Sequence, residues 1–262
     1  MTERSPTSAH RLPLTRRAVR RVGRLIPPWL GGQLHRAPTS LTFGFTGPFN
    51  GQRMRVAAVR AIFSAVPFAA VIETGTFRAL TTQFLRTITA APIATIEINQ
   101  RYFEYSRGRL RGAAQIHQFL GSSPEVLARL AADPTWTAGP TFFYLDAHWL
   151  DNLPLVDELR AIRPAWPDFV ALVDDFRVAD DPGYGYDDYG PGKSLELALL
   201  ADPAFADLHV FWPAAPASRE TGQRQGYVLL ATPGAMADGL AGLAELRDGG
   251  LLGEALRARR VG

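Results

Sequence analysis

Short continuous apolar runs alternate with stretches whose apolar positions recur every three or four residues from residue 68 to residue 231. The first pattern marks buried strands and the second marks helices lying on a core. Strands are predicted near 69–73, 93–97, 114–119, 141–145, 169–173, 207–212 and 226–231. Helices are predicted near 53–66, 78–88, 100–110, 123–132, 153–163 and 193–201. Such alternation builds a parallel sheet covered by helices on both faces. Between the last two strands lies a polar segment, Pro213–Gln225, too poor in apolar positions for a packed crossover helix, so these strands pair as an antiparallel hairpin. A helical tail is predicted to follow, Ala235–Arg247 and then Leu251–Arg259. Ahead of the first strand, residues 41–52 (LTFGFTGPFNGQ) have loop chemistry and form either a plain connector or one wall of a ligand site. Three segments result: an extension over 1–40, a main α/β domain over 41–232 and a helical tail over 233–262.

The extension differs from the body in charge. Residues 1–40 hold eight Arg and one Glu, whereas residues 41–262 hold 20 basic and 24 acidic groups, so the excess of positive charge belongs to the tail. Leu14, Val19, Val22, Leu25 and Ile26 fall at helical spacing among Arg16, Arg17, Arg20, Arg21 and Arg24, and Pro27-Pro28 stops the helix. Residues 11–26 could lie on an anionic membrane surface, dock a partner, or form a solvated tail that covers the body. Pro27-Pro28 also interrupts the apolar region an export signal needs. The expected location is cytoplasmic or peripheral at the membrane, and no nucleic-acid partner is expected. With 262 residues, 47% of them hydrophobic, one sizeable core is expected. The chain has no cysteine, which excludes disulfides, cysteine-ligated zinc, iron–sulfur clusters and thiol nucleophiles.

Candidate chemistry gathers where predicted strands end. The first ends in Glu73-Thr74-Gly75, and glycine lets the backbone approach a ligand closely and take positive φ. The second ends in Glu97, about the separation from Gly75 at which dinucleotide folds place a ribose-binding acid. A carboxylate has two acceptor oxygens for a diol. Asp146 ends the fourth strand and Asp174-Asp175 the fifth, so these carboxylates converge on one sheet edge. They suit Mg²⁺ or Mn²⁺, or they cap the turns that follow. His148 lies two residues past Asp146 and is either a general base or a packing residue. Residues 180–194 (DDPGYGYDDYGPGKS) carry Tyr184, Tyr186, Tyr189 and the chain's single lysine, Lys193, forming either an acceptor wall or a glycine-rich surface loop.

Together, the order and spacing of these motifs resemble the Rossmann-like S-adenosylmethionine-dependent methyltransferases, nearest in motifs to the catechol O-methyltransferase group. Glu73-Thr74-Gly75-Thr76-Phe77-Arg78-Ala79-Leu80-Thr81 resembles that group's cofactor turn, and Ile96-Glu97-Ile98-Asn99 its ribose segment. Phe119-Leu120-Gly121-Ser122-Ser123 resembles the adenine-flanking turn, Leu145-Asp146-Ala147-His148-Trp149 the metal-aspartate segment, and Val173-Asp174-Asp175 the acid pair completing the metal site. The similarity covers residues 68–178. It implies a doubly wound sheet of about seven strands, mostly parallel with a C-terminal antiparallel hairpin. It implies cofactor contacts from Glu73, Gly75, Thr76, Thr81, Glu97, Ser123 and Asp146, and Mg²⁺ held by Asp146, Asp174 and Asp175. Two positions depart from the pattern: Ala79 stands in place of the turn's later glycine, and Leu150 in place of the group's catalytic lysine. His148 and Lys193 are the candidate substitutes. The implied activity is transfer of a methyl group to a hydroxyl of a small molecule or sugar. The alternative is a protein of the same fold that binds the cofactor without chemistry and is attached through its basic tail. A nicotinamide-dependent dehydrogenase fits less well, because the turn lacks Gly-x-Gly-x-x-Gly.

Overall fold

The computed structural model of the protein describes residues 47–149 and 152–261. The strands are β1 (Ala70–Thr74), β2 (Ile93–Glu97), β3 (Ile116–Leu120), β4 (Thr141–Leu145), β5 (Phe169–Val173), β6 (His209–Pro213), β7 (Val228–Ala231) and β8 (Leu246–Leu251). The helices are α1 (Arg53–Ala65), α2 (Leu80–Ile88), α3 (Gln100–Arg109), α4 (Ser123–Leu130), α5 (Pro134–Thr137), α6 (Leu155–Ala165), α7 (Ala235–Ala241) and α8 (Leu252–Val261). All eight strands form one sheet in the order β3-β2-β1-β4-β5-β7-β6-β8. The first five are parallel, and β7, β6 and β8 continue the sheet antiparallel.

Strand periodicity explains why the central strands read as continuous apolar runs: both faces are covered. In β4, Phe143 and Leu145 point to the layer containing Leu155, Leu159 and Ile162 of α6. Phe142 and Tyr144 point to the opposite layer, against Val59 and Ile62 of α1 and Leu85 of α2. Arg55 lies on the same stripe of α1 as Ala58, Val59 and Ile62 and is fully buried with them. Between β1 and β4 the strand order reverses, so their carboxyl ends border the crevice where open α/β sheets take ligands.

Two predicted helices change. The helix near 193–201 is a loop with a 3₁₀ turn at Leu197–Leu200. Leu195, Leu197 and Leu200 are all buried there, a spacing that a regular helix would scatter around its circumference. The helix expected over Ala235–Arg247 stops at Ala241, with Gly242 as its cap. Residues 246–251 instead pair with β6 as an eighth strand, so the C-terminal segment is not a purely helical tail. The sequence pattern missed this because Leu240, Leu243 and Leu246 mimic a continuing helical stripe. The N-terminal extension over 1–40, its basic helix and Leu150 lie outside the described residues. Among the described residues no helix is long and apolar enough to cross a membrane.

Candidate functional site

At the crevice, the β1 turn and the β4 end are in contact. Gly75 has φ +85°, and a Cβ there would stand 2.1 Å from the Asp146 carbonyl oxygen, so only glycine fits. Its N–H donates to the Ile96 carbonyl (2.9 Å), and the Asp146 N–H donates to the Thr74 carbonyl (3.0 Å). These bonds bring the ends of β1, β2 and β4 together. Glu97, at the end of β2, accepts from the backbone N–H of Phe77 through Oε2 and of Asn99 through Oε1, both at 2.8 Å. Burial raises its carboxyl pKa, while those N–H donors oppose the shift. Each oxygen retains a lone pair for a ligand.

Around this crevice stand the large apolar side chains that the described residues leave exposed: Phe77 after β1, Ile98 after β2, Leu120 at the end of β3 and Trp149 after β4. Trp149 is 66% exposed and Ile98 59%. Mutual backbone bonds between Trp149 and Asn152, at 2.8 and 3.0 Å, hold the backbone that carries the indole. Isolated exposed apolar residues are ordinary, but these four follow four consecutive strands of the sheet, β3, β2, β1 and β4, on the edge where its strands end.

The remaining residues assigned to the cofactor turn inward or sideways. Glu73 is buried, and its Oε2 accepts from the hydroxyls of Thr82 and Thr95. Burial, assisted by Glu97 and opposed by those two hydroxyls, pushes its pKa up to about 7. The Thr76 hydroxyl meets that of Thr95 at 2.6 Å, and the Thr81 hydroxyl accepts from the Phe49 N–H at 3.2 Å. Ser123 opens α4 and is buried. Ala79 takes the left-handed conformation, φ +57°, immediately before α2. That is a conformation where glycine would be free of strain.

Beside the crevice lies an acidic pocket. Asp146, His148 and Asp175 each direct one ligand atom into it, and these atoms lie within 4.8 Å of one another. His148 Nε2 is 3.7 Å from Asp146 Oδ1 and 3.6 Å from Asp175 Oδ2, too far for hydrogen bonds. Burial alone would lower the imidazole pKa, but the carboxylates of Asp175, Asp146 and Asp174 outweigh it and hold it at about 9. Burial, and after it the neighbouring Asp174 carboxylate, raise the carboxyls of Asp146 and Asp175.

Asp174 is not part of this triad. Its Oδ1 is paired with the Arg55 guanidinium, its Oδ2 accepts from the Tyr144 hydroxyl, and both ionic partners are fully buried. Arg55 also donates to the carbonyls of Gln225 and Gly226, and its guanidinium lies 4.8 Å from the centre of the Tyr227 ring. Tyr144 bridges the two systems: the hydroxyl that donates to Asp174 has its oxygen 3.1 Å from Asp146 Oδ2 as well.

The long loop supplies a fourth acid. The Asp187 N–H donates to the Asp175 carbonyl (2.9 Å), and the Tyr189 hydroxyl donates to the Asp187 carboxylate. Burial first, then Asp187, Asp175 and Asp146, raise the Tyr189 phenol. Lys193 is exposed in the turn closed by the Asp188–Ser194 bridge. Tyr184 is buried and donates to the Ala215 carbonyl (2.9 Å), and Tyr186 lies beneath the Arg177 guanidinium. The sequence reading missed Arg55, Tyr144 and Asp187. A charged residue on the apolar stripe of a predicted helix was the available signal for Arg55.

No protein-family model matches the sequence, and no curated protein does. Solved structures do share its fold. The O-methyltransferase TomG of Streptomyces achromogenes, involved in tomaymycin synthesis and crystallised with S-adenosylmethionine, superposes with a TM-score of 0.52 at 15% identity, over 85% of this chain and 100% of that one. A protein of Klebsiella pneumoniae assigned as an O-methyltransferase gives 0.50 at 14% identity, over 82% and 95%. The sheet order and these superpositions show a Rossmann-like methyltransferase fold.

Proposed function

We propose that the protein is an S-adenosylmethionine-dependent methyltransferase acting on a hydroxyl of a small molecule or sugar. The observation that carries this reading is the crevice: the Gly75 turn, the Glu97 carboxylate and the exposed Phe77, Ile98, Leu120 and Trp149 all lie at adjoining strand ends. Glu97 would accept the ribose hydroxyls through its remaining lone pairs, and Ile98 and Trp149 would cover the faces of the adenine. The methionine end would lie along the Gly75 turn, whose backbone packs against Asp146, with the sulfonium methyl toward the acidic pocket.

The acceptor hydroxyl would enter beside Asp146, whose side chain is 30% exposed against 16% for Asp175. Because the sulfonium is already activated, the protein's contribution is alignment of the hydroxyl with the methyl carbon and removal of one proton. The carboxylates around His148 favour its imidazolium form in the ion-free chain. In this reading Asp146 and Asp175, beside the entering hydroxyl, receive the proton. Asp146, His148 and Asp175 are the residues that would hold a divalent cation, and such an ion would supply Lewis-acid polarisation of the hydroxyl. An open crevice beside an intact acidic pocket favours an enzyme over a cofactor-binding protein without chemistry.

Calorimetric titration with S-adenosylhomocysteine, and with NAD as the competitor, tests the reading. S-adenosylhomocysteine should bind, and Glu97→Ala should weaken it by roughly 10- to 100-fold, the loss of a charged acceptor. Preferential binding of NAD, or unchanged affinity in Glu97→Ala, would refute it.

A further inference from the structure

Two buried polar atoms in the acidic pocket have no partner within the protein. His148 is 94% buried, and its Nε2 makes no hydrogen bond; the Asp175 Oδ1 atom is buried without one as well. Buried polar atoms are rarely left so, and here the imidazole nitrogen is aimed between two carboxylate oxygens at 3.6 and 3.7 Å. Three ligand atoms around a common ion at about 2.1 Å stand roughly 3.0–3.4 Å apart, so the triad, its ligand atoms now within 4.8 Å of one another, would close on a cation by contracting. The oxygen that an all-carboxylate site would need belongs to Asp174, which Arg55 and Tyr144 hold on the far side.

We propose that the pocket is a site for a borderline divalent transition-metal ion such as Zn²⁺, Co²⁺ or Fe²⁺, ligated by Asp146, His148 and Asp175, and that it discriminates against Mg²⁺. An imidazole in place of a third carboxylate sets this preference. Mg²⁺ demands oxygen ligands and keeps its water, whereas the later first-row ions gain affinity from nitrogen. With three protein ligands the site keeps open positions, one of which an acceptor oxygen can fill. That last use rests on the methyl-transfer reading; binding of the ion does not.

The test uses the full chain and the metal ions alone. Co²⁺ should bind at one equivalent in calorimetry, at least tenfold more tightly than Mg²⁺, and should develop visible absorption of an N,O-ligated ion. His148→Gln should cut Co²⁺ affinity at least tenfold and change that absorption. Mg²⁺ binding as tightly as Co²⁺, no binding of Co²⁺, or unchanged Co²⁺ affinity in His148→Gln overturns the proposal. If His148→Gln does not fold, pulsed electron paramagnetic resonance of Mn²⁺ on the wild type decides: coupling to a ¹⁴N nucleus supports the imidazole ligand, and its absence overturns it. S-adenosylhomocysteine titrated into the same sample reports separately on the cofactor crevice, so a failed metal site and a failed methyltransferase reading give different results.

Discussion

Breaking the Arg55–Asp174 pair should cost far more than losing a surface ion pair. Both groups are fully buried, and Asp174 is also the acceptor for Tyr144. Removing one member of a buried pair leaves an uncompensated charge, at a cost of about 3–5 kcal/mol. Asp174→Asn should fall in that range. Arg55→Met should reach its upper end, because the carbonyls of Gln225 and Gly226 lose their donor as well. For a domain of this size about 1 kcal/mol lowers the melting temperature by roughly 2–4 °C, so each single variant should melt roughly 6–20 °C below the wild type. The double variant Arg55→Met/Asp174→Asn should recover about 1–3 kcal/mol relative to the sum of the singles, since neither charge is left alone. Differential scanning calorimetry of the four proteins measures all of this. Losses below about 1 kcal/mol for the single variants, or strict additivity, would show that the pair does not hold Asp174 away from the pocket.

Glu73 predicts a pH dependence of stability. Its folded pKa of about 7 lies above its ordinary 4.5, so the protonated form is favoured in the fold. The contribution is complete below about pH 4.5 and is lost as pH rises through 7, by roughly 3 kcal/mol. Chemical denaturation from pH 4.5 to 8 should show that slope in the wild type and a flatter one in Glu73→Gln; identical slopes would refute the assignment. Gly75→Ala forces a Cβ onto the Asp146 carbonyl, so stability should drop by at least about 1–3 kcal/mol and S-adenosylhomocysteine binding should be lost. An unaltered melting temperature would deny the contact between the β1 and β4 ends. For Glu97→Ala the same titration should show weakened binding of S-adenosylhomocysteine with the fold retained, as circular dichroism would report.

The parallel half of the sheet was legible because its strands are buried on both faces and write unbroken apolar runs, each bounded by turn chemistry. Strand ends were legible for the same reason: Glu73, Glu97, Asp146 and Asp174 are where the apolar runs stop. Where those acids point was not. Asp174 and Asp175 are neighbours, yet Asp174 takes a buried guanidinium from α1 while Asp175, at φ +51°, turns into the pocket. Local pattern carries no trace of a partner 119 positions away. Strand β8 was hidden by similar means: Arg247, Asp248 and two glycines look nothing like a strand, and the sheet edge offered by β6 decides their conformation.

The first turn of α1 is stitched to a loop from the other end of the chain. Glu220 accepts the N–H groups of Met54 and Arg55, Thr221 accepts that of Arg53, and the side chain of Gln52 makes two bonds with the Gln225 backbone, all across separations of 165 to 173 residues. Helix α1 can form as soon as it is synthesised, but Arg55 finds its carbonyl acceptors only after residues 220–226 have arrived. Loop closure over such a span is slow relative to local helix formation. The support of the acidic pocket is therefore completed late: a chain cut short before residue 226 lacks the carbonyls that hold the Arg55 guanidinium beside Asp174.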